Sequence, residues 1–317
     1  MSQTVAVVGA GYMGGGIAQV VALSGRLVSL ADQSAAHAVA SRERIIVEAA
    51  DFASRGLFPA DAAERIAAHV SASASIEEAV ADADVIEEAV SEIPEVKQDI
   101  LRRISAASRS DAVIGSNTST ISIARLAEAV EHPARFLGVH FSNPATFIPG
   151  VEVIPHAGTS AAAVSTVLGL LEDCGKVGVE IKDVTGFVLN RLQYALFTES
   201  CRLVEEGIAS AEDIDRIART TFGFRLPFFG PFAIADIAGL DVYAFCYRSL
   251  EEAYPDRFAP PVALEERVSQ GRLGLKSGGG FLATPPERIA EITAYRDTAY
   301  AAMSELLERL GPAPVEY

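Results

Sequence analysis

Two residues in the stretch VHFSNPATFIPGVEVIPH (139–156) are of types that move protons together: His140 closes the β-branched run FLGVHF, and Glu152 lies in a second run, VEVIP. Between them, Asn143-Pro144 and Pro149-Gly150 are breaker dipeptides, so the runs read as two strands that fold back on each other. An imidazole held by a carboxylate takes a proton from a hydroxyl near neutral pH, because the carboxylate fixes the tautomer and supports the imidazolium that forms. Taken alone, the pair reads more simply as a strand-end histidine bonded to backbone. The choice depends on what surrounds it.

At the start of the chain an apolar run, Thr4 to Val8, is followed by Gly9-Ala10-Gly11-Tyr12-Met13-Gly14 and a helical pattern from Ile17 to Leu23. This is G-x-G-x-x-G between strand and helix. The first glycine permits the tight turn, the second lets backbone approach a diphosphate, and the third lets helix pack on strand. A second strand, Leu27 to Ala31, ends at Asp32, an acid that can accept ribose hydroxyls and repel a 2′-phosphate. The order of these elements points to NAD rather than NADP.

Residues 34 to 69 read as two helices interrupted around Gly56 to Pro59, followed by a short helix at Ser75 and a strand from Val85 to Glu87. Glu92 and Lys97 follow, and their spacing alone describes a solvated helix face. The strand Asp111 to Gly115 ends in Ser116-Asn117-Thr118-Ser119, small polar groups at the carboxyl end of a parallel strand, where open α/β sheets bind ligands. Helix Ile121 to Glu131, strand Phe136 to Phe141, helix Ala161 to Cys174 and strand Lys176 to Ile181 complete the alternation. The expected fold is α/β: a Rossmann-type doubly wound sheet over residues 1–183, then an all-α domain over 184–317.

After Asp183 the strand signals stop. Gly186 opens an apolar-periodic stretch to Gly207 with Asn190 in its first turns, Ser210 to Thr221 is a capped helix, and Phe222 to Pro231 an aromatic loop. A second apolar helical region runs from Phe232 to Tyr254, Gly274 to Phe281 is a flexible segment suited to clamping a ligand, and a last helix spans about Pro286 to Leu310. Two helices this apolar exceed what a small domain needs for its own core, so a homodimer through the C-terminal helices is expected.

Composition narrows the partners. With 26 basic against 42 acidic residues the net charge is −16, which argues against nucleic acid and anionic membranes. The uncharged stretch from Gln3 to Arg26 lacks a basic flank and is broken by six glycines, so it is not read as a membrane segment. Cys174, Cys201 and Cys246 are far apart in apolar sequence and read as reduced core residues of a cytoplasmic protein. The five histidines show no ligand spacing, and no metal is expected.

With these residues assembled, the chain resembles the 3-hydroxyacyl-CoA dehydrogenase family over nearly its whole length, through GAGYMG with Asp32, EEAVSE with Lys97, SNTST, HFSNP, VEVI, GFVLNR, GPFAIADIAGLD and LKSGGGF in that order. The resemblance implies a dehydrogenase in which His140 is the general base, Glu152 orients it, and Ser119 and Asn190 hydrogen-bond the substrate oxygen. It implies NAD contacts at Gly9, Gly11, Tyr12, Met13, Gly14, Asp32, Glu92, Lys97, Asn143 and Lys276. The substrate implied is a 3-hydroxyacyl-CoA or a related small hydroxy acid. One departure bears on that choice: Ile148-Pro149-Gly150 stands where thioester enzymes of the family carry Met-Lys-Leu. This form is similar to the branch that oxidises free acids or pyridine alcohols, of the L-gulonate, carnitine and pyridoxine-degradation type. A non-catalytic NAD-binding structural role, as in lambda-crystallin, is the remaining alternative, and the presence of Ser119, His140, Glu152 and Asn190 argues against it.

Overall fold

The computed structural model describes residues 3–315. The chain divides into two compact units, the first running through Ala195 and the second starting at Leu196. The first unit contains β1 (Val5–Val8), α1 (Tyr12–Leu23), β2 (Val28–Ala31), α2 (Ala35–Ser54), α3 (Ala62–His69), β3 (Val70–Ala72), α4 (Ile76–Val80) and β4 (Val85–Glu88). It continues with α5 (Pro94–Ala107), β5 (Val113–Ser116), α6 (Ile123–Ala127), β6 (Phe136–Phe141), β7 (Gly150–Pro155), α7 (Ala161–Asp173), β8 (Val177–Glu180) and the start of α8 (Leu189–Glu205).

The eight strands form one sheet in the order β3-β2-β1-β4-β5-β6-β7-β8. Every neighbouring pair is parallel except β6 and β7, whose short connection makes them an antiparallel hairpin with His140 directly opposite Glu152. The order reverses between β1 and β4, the switch point at which doubly wound sheets bind ligands. Strands buried on both faces alternate between two cores: Val5 and Val7 pack with Ile17 and Val21 of α1, while Ala6 and Val8 pack with Ile76 of α4 and Leu101 of α5.

The second unit holds α9 (Ala211–Thr220), α10 (Phe222–Arg225), α11 (Pro231–Ala238), α12 (Leu240–Ala253), α13 (Val262–Ser269) and α14 (Ile289–Leu310). Among the described residues, no helix is long and apolar enough to cross a membrane.

Several expectations change. The helix expected over Ile121 to Glu131 shrinks to α6, whose first N–H groups, at Ile123 and Ala124, are taken by the Asp183 carboxylate. The single region from Phe232 to Tyr254 is two helices broken at Gly239, whose φ of 103° no helix allows. The 274–281 segment is held rather than loose: Asp236, itself buried, accepts from the N–H groups of Phe281 and Leu282. Cys246 is exposed within its unit and Cys174 and Cys201 only partly buried, so none is a fully buried core residue, although all three are free thiols.

Candidate active site

The glycine-rich turn is built by close approach. Gly9 has φ 102°, and a Cβ there would lie 2.6 Å from the backbone of Ala89; a Cβ on Gly14 would lie 1.8 Å from the Gly9 carbonyl oxygen. A Cβ on Gly11 would meet nothing within 4 Å, which leaves open space over the start of α1. No side chain caps α1, so its first N–H groups are left for an anion. The cleft at the switch point has a volume of about 480 Å³ and is lined by Gly9, Gly11, Tyr12, Met13 and Asp32, with Ala89, Val90 and Ser91 opposite. Asp32 is fixed at its edge by accepting from Ala10 N and Gln33 N, both at 2.7 Å. Open backbone at a helix N-terminus beside an anchored acid fits a dinucleotide whose ribose hydroxyls are free.

At the carboxyl end of β6 the polar row is continuous. His140 Nδ1 lies 2.7 Å from Glu152 Oε2, and Nε2 lies 3.2 Å from Ser119 Oγ. Because a carboxylate only accepts, Nδ1 is the nitrogen that donates to Glu152, and in the neutral imidazole this tautomer leaves the Nε2 lone pair facing Ser119. The second Glu152 oxygen accepts from Val188 N and Leu189 N at 2.9 Å each, at the start of α8. At the next residue, Asn190 Nδ2 donates to the Ser119 carbonyl at 2.9 Å. Ser119, His140, Glu152 and Asn190 are thus brought together, all within the first unit, and what they can do is receive a proton from a hydroxyl placed beside Ser119 and His140.

Glu92 holds the loop that carries Ser119. Its Oε1 accepts from the Thr118 hydroxyl at 2.7 Å, Ser119 N at 2.8 Å and Thr120 N at 2.9 Å. Burial disfavours its charge, but these donors together with Lys97 outweigh burial and keep the carboxyl below its ordinary range. Lys97 departs from the solvated face suggested by its spacing. It is fully buried, donating to Glu88 Oε1 at 2.9 Å and to the Val90 carbonyl at 3.2 Å, and sits 3.6 Å from Glu92 Oε2. Glu88, which the sequence reading passed over, also accepts from Ser116 Oγ at 2.6 Å. Within the SNTST segment each side chain has its own task, since Asn117 Oδ1 accepts from Phe141 N at 2.8 Å and ties the end of β5 to the end of β6.

Asn143 lies in the β6–β7 connection, which Lys176 braces by donating to the carbonyls of Ala145 at 2.6 Å and Ile148 at 2.8 Å. Burial lowers the pKa of that ammonium. Lys276 belongs to the second unit, where it pairs with Asp241 at 2.6 Å. Among the described residues no three His, Cys, Asp or Glu side chains gather as a metal site.

A dinucleotide cleft and a carboxylate-oriented imidazole on the same edge of a doubly wound sheet define a nucleotide-dependent oxidoreductase. The chain belongs to the 3-hydroxyacyl-CoA dehydrogenase family: residues 4–184 match its NAD-binding domain and residues 186–284 its C-terminal domain. It is an NAD-dependent dehydrogenase acting on CH–OH. It is 33% identical over 311 residues to 5-formyl-3-hydroxy-2-methylpyridine 4-carboxylate 5-dehydrogenase of Mesorhizobium japonicum, covering 97% of this chain and 99% of that one. It is 34% identical over 276 residues to a probable 3-hydroxybutyryl-CoA dehydrogenase of Deinococcus radiodurans, covering 87% and 98%. Among solved structures, a 3-hydroxyacyl-CoA dehydrogenase of Archaeoglobus fulgidus superposes with a TM-score of 0.80 at 33% identity, covering 98% of this chain and 99% of that one.

Proposed function

We propose that the enzyme oxidises the 3-hydroxyl of a 3-hydroxyacyl-CoA, or of a related small 3-hydroxy acid, with His140 as the base. The observation that carries this is the row Ser119 Oγ, His140 Nε2, His140 Nδ1, Glu152 Oε2, with steps of 3.2 and 2.7 Å. In this reading Ser119 Oγ and Asn190 hold the substrate oxygen, and His140 Nε2 takes its proton. Glu152 then stabilises the imidazolium across Nδ1. Bound NAD supplies the hydride acceptor. Gly9, Gly11, Tyr12, Met13, Gly14 and Asp32 would hold it on the cleft side, with Asn143 and Lys276 as further contacts. Glu92 serves it through the Ser119 loop, which its Oε1 holds, and Lys97 through Glu88 and the Val90 carbonyl, where its ammonium is engaged 3.6 Å from Glu92 Oε2. The division at residue 183, with NAD bound before it and substrate binding and dimerisation after it, belongs to the same reading, as does a cytoplasmic location.

A second substrate reading has its own support. Phe147, next to the Ile-Pro-Gly departure, packs its ring 5.2 Å from Phe52 and 5.9 Å from Phe58. The Ile148-Pro149-Gly150 departure itself, with the full-length similarity to a pyridine-carboxylate dehydrogenase, favours a free acid or pyridine alcohol. NADH formation at pH about 9, where proton release favours oxidation, separates the two on 3-hydroxybutyryl-CoA, 3-hydroxybutyrate, L-gulonate, carnitine and pyridine-ring alcohols. Turnover of the thioester supports the first reading, and silence on it with turnover of a free acid or alcohol replaces it with the second.

A further inference from the structure

Nothing in the proton-transfer row accounts for Phe187. It follows Gly186, φ 77°, and itself takes φ 50°, one of two non-glycine residues with positive φ among those described. A residue bearing a Cβ is strained there, and glycine would adopt the same backbone freely. The ring is 1% exposed and its centroid lies 5.6 Å from that of the His140 imidazole, tilted by 54°. The two N–H groups that follow the strained residue, Val188 and Leu189, are those that hold Glu152 Oε1. The Val188 carbonyl then accepts from Leu192 N, so α8 begins immediately after the turn.

We infer that Phe187 is a positioning residue for the reaction: its left-handed turn aims two N–H groups at one Glu152 oxygen while its ring fixes the plane of His140 against the other. Glu152 cannot swing away from Nδ1 without releasing both N–H groups. The imidazole cannot rotate without displacing a buried ring. Strain at this residue is offset by rigidity at the base, the place where backbone strain is characteristically held. The inference rests on His140 being the base.

Its test uses the full chain with Phe187→Gly, which relieves the strain and deletes the ring, and Phe187→Leu, which keeps apolar bulk should the glycine variant fail to fold. His140→Ala and the double variant His140→Ala/Phe187→Leu complete the set. The first readout needs no substrate: the downfield proton resonance of His140 Nδ1–H, assigned by its loss in His140→Ala. It is expected to broaden or vanish in the Phe187 variants while NAD still raises their melting temperature. The second is turnover of 3-hydroxybutyryl-CoA or, if that is silent, of the best alternative substrate in the panel above. kcat is expected to fall about 10–100-fold, the range for a misplaced reacting group, with KM for NAD nearly unchanged. The double variant should be no slower than His140→Ala alone, because a residue acting through the base has nothing left to lose. An unchanged resonance and kcat in a folded Phe187→Leu enzyme, or a further loss in the double variant, would overturn the positioning role. Full turnover by His140→Ala would overturn the base assignment instead.

Discussion

Replacing Glu87 should make the first unit more stable, and increasingly so as pH rises. Glu87 and Glu88 are neighbours on β4 and face opposite sides of the sheet. Glu88 finds Lys97 and Ser116, whereas Glu87 enters the apolar core, 4% exposed, with no hydrogen-bond partner for Oε1 among the described residues. Its surroundings are a cavity of about 20 Å³ walled by side chains that include Ile17, Val21, Val139, Phe141 and Leu171. Burial pushes the carboxyl well above its ordinary range, the charge of Glu88 adds to this, and Lys97 opposes it. A folded pKa above the unfolded one means that the native state holds the extra proton. The contribution is therefore complete below about pH 4.5 and declines as pH rises through the folded pKa, by up to about 1.4 kcal/mol per pH unit. An unsatisfied buried polar group costs about 1–3 kcal/mol even when neutral. Glu87→Leu should recover this amount at pH 5 and more at pH 9. At about 2–4 °C per kcal/mol for a unit of this size, the melting temperature should rise by roughly 2–12 °C at pH 5. Glu87→Gln, which cannot ionise, should flatten the pH dependence without the full gain. Scanning calorimetry of the three proteins from pH 5 to 9 decides it. Parallel stability curves, or a destabilised Glu87→Leu, would refute the reasoning.

Other expectations follow from the same contacts. Lys97→Met leaves the buried Glu88 charge unpaired and should destabilise by about 3–5 kcal/mol in denaturant titration; adding Glu88→Leu should restore most of it. Asp32→Asn removes the charge at the cleft edge and should narrow the preference for NAD over NADP by roughly 10–100-fold in the ratio of kcat/KM values, with weaker NAD binding as well because Asp32 also holds Ala10 N. Glu152→Gln should lower kcat while leaving the dissociation constant for NAD, measured by NADH fluorescence, almost unchanged, since Glu152 touches His140 and α8 rather than the cleft.

Legibility in the sequence followed the range of the forces involved. β6, β7 and the His140–Glu152 pairing were readable because a β-branched run, two breaker dipeptides and another run can close locally into a hairpin. The dinucleotide cleft was readable because its glycines are demanded by contacts within one βαβ unit. β3, with three residues, is too short to show a period, and α13 lies in a stretch between Tyr254 and Gly274 to which the sequence pattern assigns no element. Lys97 misled because its partner Glu88 sits on a different element, and helical periodicity carries no information about a strand-end acid. Phe187 was invisible for a related reason: Gly186 marks a turn, but only the backbone geometry shows that the next residue is left-handed as well.

The proposed proton-transfer row is probed most simply by stopped-flow NADH formation by His140→Ala on the substrate that the wild-type enzyme turns over best. Loss of a general base should lower kcat by about 10²–10⁴-fold, with NAD binding intact because His140 does not line the cleft. A His140→Ala enzyme that oxidises its substrate at the wild-type rate, or one that fails only because NAD no longer binds, would contradict the assignment of His140 as the base.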